Sequence, residues 1–265
     1  MTNKKCALIT GGSSGLGFAI AKRLVREGFT PILIARGKER LDAAVDVLCK
    51  MGNGAYGFKG DITCHNDLTM IADFVKDKFG SLDFLVLNAG VVSVSLLADY
   101  NNFDKMKEDI EIDLWGTVLA ARVFMPLLTP QSRILMISSG FGLIGAAAYS
   151  TYCAAKAGIV NFAEALRREL LYKKISVYVA CPADIDTPQY EQERKDMPEW
   201  MVKATPGRHN LLSPDTAAEK ILKKCKGKKL IITINFEISL LRFLKRLLPE
   251  QILTSILDLF LPRPQ

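Results

Sequence analysis

Short apolar runs of strand length alternate with amphipathic stretches of helical length through most of this chain, and that alternation leaves few folds open. CALIT precedes a helical pattern at about 15 to 27, TPILIA one at about 38 to 50, and AYGFKGD one at about 66 to 79. FLVLNAG is followed by a long helix at about 102 to 128, then by RILMIS, a helix at about 150 to 173, and SVYVACP. Strands separated by helices are joined by right-handed crossovers, which place helices on both faces of a parallel sheet. The prediction is α/β: a doubly wound parallel sheet that binds its ligand beyond the carboxyl ends of the strands.

Two segments carry chemistry. TGGSSGLG, Thr10 to Gly17, lies between a strand pattern and a helix pattern. Gly11 permits a tight turn, and Gly15 and Gly17 allow close approach of a pyrophosphate and of helix to sheet. The hydroxyls of Ser13 and Ser14 and the N–H groups opening the helix are donors to phosphate. The second segment, SSGFGLIGAAAYSTYCAAK, ends on Tyr152 and Lys156. Four residues apart on a helix, these share a face, so an ammonium approaches a phenol whose ordinary pKa is about 10 and favours its anion. Ser139, just past the apolar run RILMIS, is placed to hydrogen-bond a carbonyl at the strand's carboxyl end.

These motifs resemble the short-chain dehydrogenase/reductase family. Thr10, Gly11, Gly15 and Gly17 match TGxxxGxG; Asn88, Ala89 and Gly90 match its NAG element; Ser139, Tyr152 and Lys156 match its catalytic set. The resemblance covers roughly residues 5 to 235. It implies a Rossmann-type fold and reduction of a carbonyl by hydride from a nicotinamide cofactor. In that mechanism Ser139 and Tyr152 hold the carbonyl, Tyr152 supplies the proton, and Lys156 lowers the phenol's pKa and holds the ribose. Asn88 is implied to fix its strand and line the cofactor crevice, and Thr187 to contact the nicotinamide carboxamide. Asp61 is implied to meet the adenine amino group, although an Asp in GDIT can equally cap the next helix. Arg36 and Arg40, at the end of ILIARGKER, offer fixed positive charge to a 2′-phosphate where an NAD enzyme offers a carboxylate, so the cofactor expected is NADPH; the alternative is that both face water. One departure stands out. The family's NxxG asparagine, which helps hold a relay water, is Asp113 in DLWG; a carboxylate there could pair with Lys156.

Within the family, P-x-D-x-D-T-P at Pro182 to Pro188 and the stretch YEQERKDMP resemble the 3-ketodihydrosphingosine reductases, implying a lipid ketone substrate. A 3-oxoacyl or steroid-type reductase of the same fold is the alternative, and a non-catalytic dinucleotide-binding protein the rival from another class. Residues 189 to 212 are expected to form a mobile substrate lid. The family also implies a homo-oligomer built through the two long helices.

At 265 residues, with 49% hydrophobic and 24% charged, the chain suits one well-buried domain, here residues 1 to 236, followed by a tail from 237 to 265. Six cysteines without a CxxC suggest buried thiols in a reducing compartment, and two isolated histidines make a metal site improbable. MTNKKCALITGG leaves no room for a signal peptide, so a cytoplasmic protein is expected. The net charge of +7 draws on Lys220, Lys223, Lys224, Lys226, Lys228 and Lys229, without the interleaved aromatics of a nucleic-acid surface. That run reads as a solvated helix end or as a patch for anionic headgroups. In the tail, Leu240, Leu241, Leu244, Leu247 and Leu248 follow helical spacing against Arg242, Lys245 and Arg246, and Pro249 interrupts the pattern. This suits peripheral contact with the cytosolic face of a membrane; packing on the body or on a second subunit is the alternative.

Overall fold

The computed structural model describes residues 5–52, 54–98, 103–204 and 211–263. Seven parallel strands, β1 (Cys6–Thr10), β2 (Thr30–Ala35), β3 (Tyr56–Lys59), β4 (Leu82–Leu87), β5 (Leu128–Ile137), β6 (Ser176–Ala180) and β7 (Ile231–Ile232), form one sheet in the order β3-β2-β1-β4-β5-β6-β7. Alternate side chains of each strand serve different cores. Ala7 and Ile9 of β1, with Leu135 and Ile137 of β5, face helices α1 (Gly15–Arg26), α2 (Lys38–Lys50) and α9 (Pro214–Lys224). Cys6 and Leu8, with Ile134 and Met136, face helix α3 (His65–Phe79), helix α5 (Thr117–Phe124) and helix α6 (Ser150–Leu170). Both faces are therefore buried, which is why the strands read as unbroken apolar runs. Each such Leu or Ile contributes about 1.5–3 kcal/mol on burial. The strand order reverses between β1 and β4, and the crevice opens there at their carboxyl ends.

Local structure departs from the sequence reading in two places. The long helix expected at about 102 to 128 is α4 (Phe103–Glu108), a wider π-helical segment at Asp109–Gly116, then α5 and a short 3-10 turn at Met125–Leu127 carrying Pro126. β5 begins at Leu128, before RILMIS, and shifts register against β4 between Leu82 and Phe84. The last strand, β7, is only two residues long, and past it the Thr233 carbonyl accepts from Lys224 Nζ at 2.5 Å. All six cysteines are free; four are buried and Cys49 is exposed.

After β6 come α7 (Pro188–Asp196), which lines the crevice, and α8 (Glu199–Ala204). The part of the expected lid at 205–210 lies outside the described residues. The tail forms α10 (Phe236–Leu247) and α11 (Glu250–Phe260). One side of α10 docks on the body: Asn235 Oδ1 accepts from the Ala183 N–H at 3.1 Å, Arg242 donates to the Ile231 carbonyl at 3.2 Å, and Lys245 donates to the Leu143 carbonyl at 2.6 Å. The other side leaves Phe236, Leu240, Phe243 and Leu247 exposed. No helix among the described residues is long and apolar enough to cross a membrane.

Candidate active site

The crevice is a cleft of about 680 Å³. Its floor at one end is the glycine turn. Gly11 has φ +64°, and a Cβ at Gly17 would lie 2.4 Å from the Gly11 carbonyl oxygen, so the turn closes on α1 only with glycine at these positions. The Asn88 amide clamps the same turn, donating to the Thr10 carbonyl at 3.0 Å and the Gly11 carbonyl at 3.2 Å. In return the Thr10 hydroxyl accepts from the Asn88 and Ala89 N–H groups at 2.9 and 3.0 Å. The ends of β1 and β4 are thereby fixed together. The Ser14 side chain does not cap α1 and no acidic residue stands in its first turn. Helix N–H groups, the hydroxyls of Ser13 and Ser14 and a first turn without acidic side chains make a cradle that fits a pyrophosphate. Arg36 and Arg40, both exposed, and Asp61 line the cleft beyond it. Asp61 Oδ1 accepts from the backbone N–H and the hydroxyl of Thr63 at 2.8 Å each, so it shapes the turn before α3 while bordering the cleft. Thr187 also lines the cleft. Its hydroxyl caps α7 by accepting from the Tyr190 N–H at 3.2 Å, and its methyl would touch a Cβ at Gly15 at 3.3 Å.

At the other end stand Ser139, Tyr152 and Lys156. β5 delivers Ser139, and the first turns of α6 deliver the other two. Ser138, fully enclosed, donates to the Lys156 carbonyl at 2.8 Å and locks α6 to the strand end. Ser139 Oγ accepts from the Phe141 N–H at 3.2 Å and faces the Tyr152 phenol closely enough to lower its pKa. The Lys156 ammonium stands 5.4 Å from the centre of the Tyr152 ring and donates to the Ile137 carbonyl at 3.4 Å.

Asp113 does not line the cleft; the π-helical segment carries it, fully buried, behind Lys156. Asp113 Oδ2 lies 2.9 Å from Lys156 Nζ, and Oδ1 accepts from the Val91 N–H at 2.7 Å. Burial raises the Asp113 carboxyl's pKa, while the Lys156 charge and the Val91 N–H oppose it. The phenol's pKa lies above the usual tyrosine range, where the family resemblance implied a Lys156 that lowers it. Burial pushes Tyr152 well above the usual tyrosine range, the Asp113 and Glu193 charges add to it, and the nearby Ser139 hydroxyl offsets them in part. The phenol is held protonated. One π turn earlier, the equally buried Asp109 accepts from the Ser93 N–H at 3.0 Å, from the Ser93 hydroxyl and from the Thr151 hydroxyl at 2.7 Å.

Sequence reasoning missed Glu193 and Tyr149. Glu193 lines the cleft from α7 and accepts from the Tyr149 hydroxyl at 2.7 Å. Burial pushes its carboxyl up to about 7; the Tyr149 hydrogen bond opposes, the Asp184 charge adds, and Arg194 partly offsets. Nothing in YEQERKD marks Glu193 out from Glu191, because α7 is polar all round and only the tertiary fold turns one of its acids inward.

Fold and site together define a dinucleotide-binding α/β protein with a Ser, Tyr and Lys set at the far end of its cleft. A model of the short chain dehydrogenase family matches residues 5–198, and the chain belongs to that family of oxidoreductases. It is 28% identical over 260 residues, 96% of this chain and 84% of the relative, to 11-beta-hydroxysteroid dehydrogenase-like 4A of Arabidopsis thaliana. It is 29% identical over 236 residues, 86% of this chain and 69% of the relative, to 3-dehydrosphinganine reductase TSC10B of the same plant. Among solved structures, a short chain dehydrogenase from Burkholderia cenocepacia J2315 in complex with NADP is similar, with a TM-score of 0.76 and 25% identity over 88% of this chain and 97% of that one.

Proposed function

We propose that this protein reduces a lipid ketone to the alcohol with NADPH, and that the substrate is 3-ketodihydrosphingosine. The observation that carries the reading is the meeting of Ser139, a protonated Tyr152 and Lys156 at one end of a cleft whose other end is a phosphate cradle flanked by Arg36 and Arg40. NADPH, when bound, supplies the hydride. The chain supplies orientation and the proton. Ser139 and Tyr152 hydrogen-bond the carbonyl oxygen, and the Tyr152 phenol passes its proton to the oxygen as the alcohol forms. Lys156, fixed by Asp113 and the Ile137 carbonyl, holds positive charge beside the phenolate that results. Arg36 and Arg40 select a 2′-phosphate, Asp61 the adenine, Asn88 the turn and Thr187 the carboxamide.

Support for the sphingoid substrate comes from the similarity to a named 3-dehydrosphinganine reductase and from the Pro182 to Pro188 wording. The similarity to hydroxysteroid dehydrogenase-like proteins favours a steroid-type ketone as the second reading. Residues 189 to 212 act as a substrate lid, and residues 237 to 265 are a tail that brings the protein to the cytosolic face of a membrane; exposed Phe243 and Leu247 on α10 support this contact. The protein works as a homo-oligomer through the helices around 102–128 and 150–173, where Trp115 and Ile110 are exposed. The deciding experiment is NADPH oxidation by the purified protein with 3-ketodihydrosphingosine in mixed micelles, beside NADH and beside Tyr152→Phe. NADPH-selective turnover that falls at least ~100-fold in the variant is expected; turnover unaffected by loss of the phenol would sink the assignment.

A further inference from the structure

Glu193 is an acid in the cleft for which the reduction has no use. Its position is set by contacts made far apart in sequence. α7 starts at the glycine turn, where Thr187 meets Gly15, and one helix length further on it presents Glu193 to Tyr149 at 2.7 Å. Tyr149 is buried at the start of α6, with its ring centre 4.8 Å from Phe141 and 6.3 Å from Tyr152. The carboxylate is therefore pinned beside the proton donor, at the end of the cleft where a carbonyl must sit. Its direct partner is a neutral phenol. A partly enclosed carboxylate held by one neutral donor is costly, and the cost is relieved by a cation that arrives with a ligand.

The charged groups around it leave that role open. Asp184, in the loop after β6, adds negative charge; Arg194 on α7 offsets it only in part, and Glu193 remains pushed up to about 7. Across the cleft, α4 contributes Lys105, which stands 3.9 Å from Asp196 at the end of α7, and the acid Glu108.

We propose that Glu193 is a specificity-determining residue that binds a protonated amine adjacent to the reducible carbonyl, so that the preferred substrate is a long-chain α-amino ketone. The inference rests on the ketone-reductase reading of this cleft and adds to it the recognition of the amine. An ammonium replaces no existing bond: it adds a charge-assisted donor to a carboxylate that keeps its contact with Tyr149.

The test compares an α-amino ketone with the chain-matched ketone lacking the amine, for the full-length protein and for Glu193→Gln, with NADPH oxidation as the readout. Expected is a preference of at least ~10-fold in kcat/KM for the amino ketone, carried by KM, which collapses to within about 3-fold in Glu193→Gln and is partly restored in Glu193→Asp. The preference of the unaltered protein should also fade as pH falls below about 7, where the carboxylate takes up its proton. No preference in the unaltered protein, or the same preference in Glu193→Gln, overturns the inference while leaving the reductase reading intact. If neither ketone is reduced, the reductase reading fails instead, and equilibrium binding of a long-chain α-amino alcohol decides: equal retention by the unaltered protein and Glu193→Gln overturns the role of Glu193.

Discussion

Asp113 is where a single residue type changes the chemistry of the cleft. A carboxylate there takes the Lys156 ammonium for itself at 2.9 Å, and its charge is the second cause, after burial, of the raised Tyr152 pKa. Removing that charge frees the ammonium to act on the phenol. In Asp113→Asn the Tyr152 pKa should fall, and because the proposed reduction draws on the protonated phenol, the alkaline limb of the pH profile of kcat/KM should move to lower pH. Asparagine can still accept from the Val91 N–H, but a buried Lys156 without its carboxylate costs about 3 kcal/mol, so the melting temperature should drop as well. An unchanged pH profile would show that the Asp113 charge does not reach the phenol. DLWG disclosed the departure and the pairing was foreseen from it. The consequence for Tyr152 was not, because a pKa set by burial depends on what surrounds the phenol in space, not on the Lys four residues along.

Among the elements, the tail helices show how one sequence pattern serves two surfaces. The leucine spacing from Leu240 to Leu248 announced an amphipathic helix. Its polar side docks through Arg242 and Lys245, and Ile238 reaches the loop after Ser139, where a Cβ at Gly140 would sit 2.6 Å from it. Deleting residues 238 to 265 would therefore disturb the loop after Ser139 as well as any membrane contact. The cleaner test replaces exposed Phe243 and Leu247 with serine: co-flotation with anionic liposomes should weaken several-fold while turnover of a soluble ketone holds within about 2-fold. Flotation equal to that of the unaltered protein would exclude this face as the contact. The π-helical segment at Asp109–Gly116 was not legible at all. Residues 109 to 116 carry no glycine or proline before Gly116 to announce it, and it is held by the inward burial of Asp109 and Asp113 against Ser93, Thr151 and Lys156.

For the whole molecule, binding at the cradle should register as stability, since a ligand held by the folded chain alone stabilises it by mass action. NADPH at about 100 times its Kd should add about 2.7 kcal/mol. That is a rise of roughly 5–10 °C for a chain of this length. NADH at the same concentration should raise it less, and Arg36→Ala combined with Arg40→Ala should remove the difference by weakening NADPH at least ~10-fold. Equal responses to the two dinucleotides in the unaltered protein would refute the arginine assignment.

By itself the sequence determined the sheet, the glycine turn and the Ser139, Tyr152 and Lys156 set of the candidate site. Strand and helix periodicities are local, Gly11 and Gly17 are demanded by backbone geometry within one turn, and Tyr152 and Lys156 share a helix. Tertiary structure alone decided how those residues are charged and who their neighbours are. Lys156 meets Asp113 from another helix, Glu193 meets Tyr149 across 44 residues, and the Thr233 carbonyl just past β7 meets the Lys224 ammonium. The physical reason is common to all three: burial and long-range packing choose which polar groups are enclosed together, and the cost of enclosing them sets their charge.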